Sequence, residues 1–278
     1  MQRSFRQIFS ARASALLRLA LREDVGSGDI TSRILVPKDA TAKASILART
    51  GGLMAGGPVL RELFRMVDPG LKVVVNVGEG KAFRRNQAVA HLEGRVRSIL
   101  RGERVALNFL GHMAAIATQT QKFVRHVHRN SVLILDTRKT MPLLREFEKY
   151  AVRMGGGKNH RMGLYDAIFV KENHRPFGQL EKLKRYRKRF EIEVRNLQEL
   201  REALALPPRI ILFDNFRPSE LRKAVRLARA TKPEIILEAS GGITLHNVAH
   251  YAAMGVDWIS VGALTHSVPN LDFSLLIS

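Results

Sequence analysis

The 278-residue chain contains no cysteine. Disulfides, thiolate nucleophiles and cysteine-ligated metal sites are therefore excluded. No apolar run approaches the ~20 residues needed to span a bilayer, so no membrane partner is expected. Tryptophan occurs once, and there is no aromatic-interleaved basic platform of the kind that single-strand nucleic-acid binders use. Acids are scarce, with 25 Asp and Glu against 46 Lys and Arg, a formal net charge of +21. That balance raises the local concentration of anionic ligands and permits non-specific nucleic-acid contact, without establishing either. No acid precedes Glu23, and Met1 to Arg6 has the composition of a transit peptide. The segment merges into Ala15 to Leu21 at helical apolar spacing, so it reads as structural and the protein as cytoplasmic.

Two patterns divide what remains. After a turn predicted over Glu23 to Ser32, the stretch from Thr41 to Leu92 holds short strand-like pieces, Ala44 to Ala48 and Val73 to Val77, punctuated by glycine pairs. Between them Val59 to Phe64 reads as a helix with Pro58 at its first position. A long helix then runs from Ile99 to Thr118, with Gly111 a candidate interruption, and the domain boundary falls near its start. The division is 1–104 and 105–270, the final residues being able to return to the first domain. Beyond it, continuous apolar runs recur at 132–135, 167–170, 190–194, 209–213, 234–238 and 258–261 with helical patterns between them. Continuous rather than alternating runs are expected of parallel strands buried on both faces. Six βα units fit a barrel, complete or not, with a doubly wound open sheet as the alternative. The dense basic run Lys182 to Arg189 reads as a solvated helix face.

In such folds ligands sit at the carboxyl ends of the strands. The first run breaks into Asp136-Thr137-Arg138-Lys139-Thr140, and the second into Lys171-Glu172-Asn173-His174; Gly155-Gly156-Gly157-Lys158-Asn159-His160-Arg161 lies between. One such cation is ordinarily a solvated surface charge. Their repeated placement directly after apolar runs points to a pocket for a small polyanion. The third and fourth runs carry acids, Glu191, Glu193 and Asp214, and the last two end in Ser240-Gly241-Gly242 and Gly262. Glycines let backbone approach an oxyanion, and the pair at 241–242 is expected to open a helix with unpaired N–H groups. Acids beside a phosphate site suit Mg²⁺, which takes one or two carboxylates plus phosphate oxygens. The other reading of Glu193 and Asp214 is an internal salt bridge to the cationic strand ends. A pocket with cationic, acidic and phosphate-accepting sides suits joining a small anionic acid to a phosphorylated sugar.

These motifs, with Glu148-Lys149-Tyr150, Glu103-Arg104-Val105-Ala106-Leu107-Asn108 and Ser260-Val261-Gly262-Ala263-Leu264-Thr265-His266, together resemble quinolinate phosphoribosyltransferases from about residue 16 to the C-terminus. The resemblance implies an N-terminal α+β sandwich domain, a C-terminal incomplete (β/α) barrel, and a homodimer, with higher oligomers open. It implies conversion of quinolinate and phosphoribosyl pyrophosphate to nicotinate mononucleotide, pyrophosphate and CO₂, with Mg²⁺, in NAD biosynthesis. Arg138, His160, Arg161 and Lys171 would bind the quinolinate carboxylates, and Arg104 would arrive from the partner subunit. Thr137, Lys139, Glu193, Asp214, Ser240, Gly241, Gly242, Gly262 and His266 would hold phosphoribosyl pyrophosphate. Lys139, Glu193 and Asp214 would serve the chemistry, with Glu193 and Asp214 on Mg²⁺. Three departures stand out: Met141-Pro142-Leu143 in place of Thr-Pro-Gly, Ala114-Ala115 in place of Ser-Gly, and Arg195 where an acid is common. A paralogue of another substrate, of the molybdenum-transport-associated type, and a basic nucleic-acid-binding protein on the same scaffold are the competing readings.

Overall fold

The computed structural model describes residues 4–186 and 189–278. The chain forms two compact units. One takes the chain up to Gln119 together with Met141–Gly156 and Val268–Ser278; the other takes Thr120–Thr140 and Gly157–Ser267. The first unit contributes strands β1 (Thr41–Ala48), β2 (Gly52–Leu53), β3 (Lys72–Val75), β4 (Ala82–Phe83) and β5 (Ala88–Arg95). The second contributes β6 (Leu133–Leu135), β7 (Ile168–Val170), β8 (Phe190–Val194), β9 (Ile210–Asp214), β10 (Ile236–Ser240) and β11 (Trp258–Ser260). The last strand, β12 (Phe273–Ile277), belongs to the first unit. No helix among the described residues is long and apolar enough to cross a membrane.

In the first unit β12, β1, β5 and β3 form an antiparallel sheet in that order, and β2 pairs with β4. Alternation along β1 buries Ala44, Ile46 and Ala48. The helix Gly57–Val67, with proline in its first turn as expected, buries Val59, Leu60, Leu63 and Phe64. The turn expected over Glu23 to Ser32 is only partly a turn. The helix Ala11–Val25 ends at Gly26, and a further helix, Ile30–Leu35, starts because the Asp29 carboxylate accepts the Ser32 N–H at 2.9 Å.

The long helix runs Val96–Val127 without a break at Gly111. Glycine is needed there for close approach, not for flexibility. A Cβ would lie 2.6 Å from the Leu271 carbonyl oxygen, and the Leu271 N–H donates to the Gly111 carbonyl at 3.2 Å. The helix Arg145–Met154 joins this unit through its aromatic face, with Phe147 and Tyr150 at 5.1 and 5.0 Å from Phe9. Its buried Glu148 meets His112 Nε2 at 2.8 Å. Tyr150 donates to Glu79 at 2.7 Å, and burial, followed by the Glu79 charge, pushes the phenol pKa up.

In the second unit the six strands are all parallel, in the order β6-β11-β10-β9-β8-β7. This is the cyclic order of a barrel cut open between its first and second strands. A doubly wound sheet would reverse direction in the middle. At the open side Lys158 lies along β6, donating to the Ile134 carbonyl at 2.8 Å and accepting the Asp136 N–H at 3.1 Å. The basic run after Gln179 forms an exposed 3₁₀ segment, Leu180–Tyr186, in place of the expected α-helix; Arg187 and Lys188 lie outside the described residues.

Candidate active site

Side chains two apart on a strand share a face. Phe169 on β7, Glu193 on β8, Leu212 and Asp214 on β9, Glu238 and Ser240 on β10, and Ser260 on β11 therefore point into one space, a cavity of about 420 Å³ within the second unit. The loop after β6 brings Thr137, Arg138 and Lys139 to its wall; the segment before β7 brings His160 and Arg161, and the end of β7 brings Lys171. Gly241, Gly242, Gly262 and His266 complete the opposite wall. Thirteen of the fourteen residues selected from sequence thus line one cavity. Arg104 does not; it is exposed on the helix Val96–Val127.

The cationic wall is organised around Phe169. Arg161 lies 4.9 Å and Lys171 5.0 Å from the ring centroid, and the His160 ring stacks obliquely on it at 5.6 Å. Arg161 also donates to the Ala167 carbonyl at 3.1 Å. Burial, then the like charge of Arg138, lowers the Arg161 pKa from the usual guanidinium value. Two guanidinium groups held so that they disfavour each other are relieved by a bound dianion, which each can grip with paired N–H groups.

His160 does not face this wall as a second cation. Its Nδ1 accepts the Arg161 backbone N–H at 2.8 Å, which leaves the proton on Nε2, and Nε2 stands 2.9 Å from Glu191 Oε2. Both ring nitrogens are committed, so the imidazole packs the wall through its face. The buried Asp136 carboxylate fixes this segment by accepting the His160 N–H at 2.9 Å.

On the acidic side Glu193 is nearly buried and meets Lys171 Nζ at 3.3 Å, the internal ion pair that one reading of the sequence expects. Asp214 accepts from Asn215 Nδ2 at 2.9 Å. The glycine-rich side differs from expectation in one respect. Gly241-Gly242 opens a turn, not a helix; Asn247 closes it by accepting the Thr244 N–H and donating to the Gly242 carbonyl at 2.9 Å, and the helix begins only at Val248. At Gly241, with φ of 96°, a Cβ would fall 2.1 Å from Asn215 Oδ1, whereas at Gly242 it would meet nothing within 4 Å. The first glycine packs the loop and the second leaves room. Lys139 is set by Thr265, whose hydroxyl donates to the Lys139 carbonyl at 2.6 Å.

Family models match both parts of the chain. The N-terminal domain of quinolinate phosphoribosyl transferase matches residues 29–114 and its C-terminal domain residues 116–276. The chain belongs to the quinolinate phosphoribosyltransferase family. It is 40% identical over 268 residues to a probable nicotinate-nucleotide pyrophosphorylase (carboxylating) of Bacillus subtilis, covering 94% of this chain and 91% of the relative. A nicotinate-nucleotide pyrophosphorylase (carboxylating) of Mycobacterium leprae is 40% identical over 271 residues, 93% of this chain and 95% of the other. The solved structure of the nicotinate-nucleotide pyrophosphorylase from Francisella tularensis superposes with a TM-score of 0.89 at 34% identity, covering all of both chains.

Against the family pattern, the departures become intelligible. Leu143 adopts φ of 68°, the left-handed conformation that the usual glycine would hold without strain. Arg195 is turned away from the cavity, 2.7 Å from Glu172 and 2.9 Å from Glu199. Ala114 and Ala115 are buried in the first unit. Sequence reasoning assigned no role to Glu238, Ser260 or Phe169, nor to Glu191 beyond its charge. The signal was available: an acid inside a continuous apolar run must be buried, and a buried acid must have a partner or lose its charge.

Proposed function

We infer that this enzyme, a pentosyltransferase of NAD biosynthesis, transfers phosphoribosyl from its pyrophosphate to quinolinate and releases CO₂, giving nicotinate mononucleotide. The observation that carries this reading is the pairing of Arg138 and Arg161 on one wall of a single cavity with Glu193, Asp214 and the Gly241-Gly242 turn on the other. Cations that disfavour each other select a dicarboxylate over nicotinate, which brings a single negative charge.

In this scheme Arg138, Arg161 and Lys171 clamp the two carboxylates of the pyridine, with His160 and Phe169 shaping the wall beneath. The ring nitrogen attacks the anomeric carbon as pyrophosphate departs towards Lys139. Glu193 and Asp214 stabilise the positive charge that develops on the ribosyl carbon. The 5′-phosphate sits at Ser240, Gly241, Gly242 and Gly262, beside His266. Glu193 and Asp214 are also hard oxygen donors on the cavity wall and fit a Mg²⁺ that takes two carboxylates and phosphate oxygens. When bound, that ion would neutralise the leaving pyrophosphate. In the assembled homodimer, Arg104 of one protomer would complete the dicarboxylate clamp of its partner.

The test is turnover of quinolinate with phosphoribosyl pyrophosphate, with nicotinate as the control acid and with Mg²⁺ present or chelated. Nicotinate mononucleotide from quinolinate alone, and only with Mg²⁺, is the expected result. Equal use of nicotinate would remove the dicarboxylate reading, and unchanged turnover under chelation would remove the metal.

A further inference from the structure

One buried carboxyl group has no place in that scheme. Glu238 has no exposed surface, lines the substrate cavity, and keeps Oε2 without a hydrogen-bond partner among the described residues. Three groups face it from the packed elements: Glu191 on β8, the His160 imidazole with Nε2 3.8 Å from its carboxyl, and the Ser260 hydroxyl on β11, which donates to Oε1. Burial first, and the charge of Glu191 second, push the Glu238 pKa up to about 8, against the opposing pull of His160 and Ser260. Oε1 accepts from Ser260, which leaves Oε2 as the oxygen that no protein group uses.

A bound cation is a poorer account of this cluster. His160, Glu191 and Glu238 bring ligand atoms within 4.8 Å of one another. Yet the Arg161 N–H occupies His160 Nδ1, so the nitrogen that faces the acids carries a proton and offers no lone pair.

The reaction itself leaves one atom unassigned. Loss of CO₂ breaks the bond from C2 to its carboxylate and leaves the electron pair on C2, next to the cationic ring nitrogen. The product carries hydrogen there, so one proton must be delivered. We propose that Glu238 is the general acid that protonates C2, a role that rests on the reading of this cavity as the quinolinate site. Its O–H bond breaks as the C2–H bond forms, the carboxyl becomes a carboxylate, and CO₂ leaves with no oxidant or reductant required. Water restores the proton once product departs. The other polar groups on this wall have duties already: Arg138, Arg161 and Lys171 hold carboxylates, and His160 donates to Glu191.

The experiment is single-turnover rapid quench of the full-length enzyme with Mg²⁺, quinolinate and phosphoribosyl pyrophosphate, measuring pyrophosphate and nicotinate mononucleotide separately. Glu238→Gln keeps the shape and neutrality of the group but has no acidic proton. It should release pyrophosphate within about threefold of the wild-type rate and form nicotinate mononucleotide about 100-fold more slowly, with the dicarboxylate nucleotide accumulating. In the wild type, product formation should fall as pH rises through the Glu238 pKa, because the neutral form is the active one, while quinolinate affinity holds. A variant in which product keeps pace with pyrophosphate overturns the proposal, as does one that loses quinolinate binding. A wild type without the alkaline fall overturns it as well, even if the variant does not fold. Wild-type enzyme that neither binds quinolinate nor releases pyrophosphate would remove the site reading and this role together, before any variant is made.

Discussion

His160 donates its Nε2 proton to Glu191 across 2.9 Å inside the barrel unit, because its other nitrogen is held by the Arg161 backbone N–H. The side chains are only 10% and 5% exposed. Glu191→Ala removes this acceptor from a nearly buried imidazole N–H, and should destabilise the protein by roughly 2 kcal/mol. Denaturant unfolding monitored by circular dichroism measures this. A change below about 0.5 kcal/mol would mean that His160 finds another acceptor.

Arg138 is the test of the dicarboxylate clamp. Arg138→Ala should lower kcat/KM for quinolinate by about 100-fold or more, and Arg138→Lys should recover little of it, since an ammonium cannot grip a carboxylate with two parallel N–H groups. Steady-state kinetics against both acids decide the matter. Near-normal use of quinolinate by the alanine variant would place the clamp elsewhere.

The two glycines after β10 should respond differently to alanine. Gly241→Ala places a Cβ 2.1 Å from Asn215 Oδ1 at φ of 96°, and should raise the KM for phosphoribosyl pyrophosphate and cost about 3 kcal/mol of stability. Gly242→Ala has φ of 60° and open space, so only the left-handed backbone penalty of about 1 kcal/mol applies. Equal effects from the two variants would contradict the packing described for Gly241.

Leu143 carries strain that the usual glycine avoids. It is an exposed leucine at φ of 68°. Leu143→Gly should stabilise the protein by about 1 kcal/mol, read as a shift in the urea midpoint at constant slope. Destabilisation would show that the leucine side chain is covered in the assembled protein.

Arg104 is exposed on its helix and absent from the cavity of its own chain. If it serves a partner's site, Arg104→Ala and Arg138→Ala should each be nearly inactive, while mixing them should regenerate hybrid dimers with one intact site. Roughly a quarter of the wild-type activity should return under random exchange. No recovery in verified hybrids would show that Arg104 acts within its own chain.

The sequence alone determined the strand count and the grouping of the selected residues around one cavity. Six runs became six parallel strands; β8 did so although Glu191 and Glu193 alternate with its apolar residues, because every position of that strand is buried. Residues placed directly after those runs converged on one cavity because every parallel strand ends on the same side of its sheet. The tertiary structure decided what depends on contacts between distant residues. It placed the helix Arg145–Met154, which follows the barrel's first strand, in the first unit, where Phe147 and Tyr150 meet Phe9. It set His160, expected from the sequence to bind a substrate carboxylate, 2.9 Å from Glu191, and it set the unassigned Glu238 beside a buried charge. Periodicity tells which residues are inside; a proton's position depends on the partners that burial brings within hydrogen-bonding distance, and no local pattern in the chain encodes those.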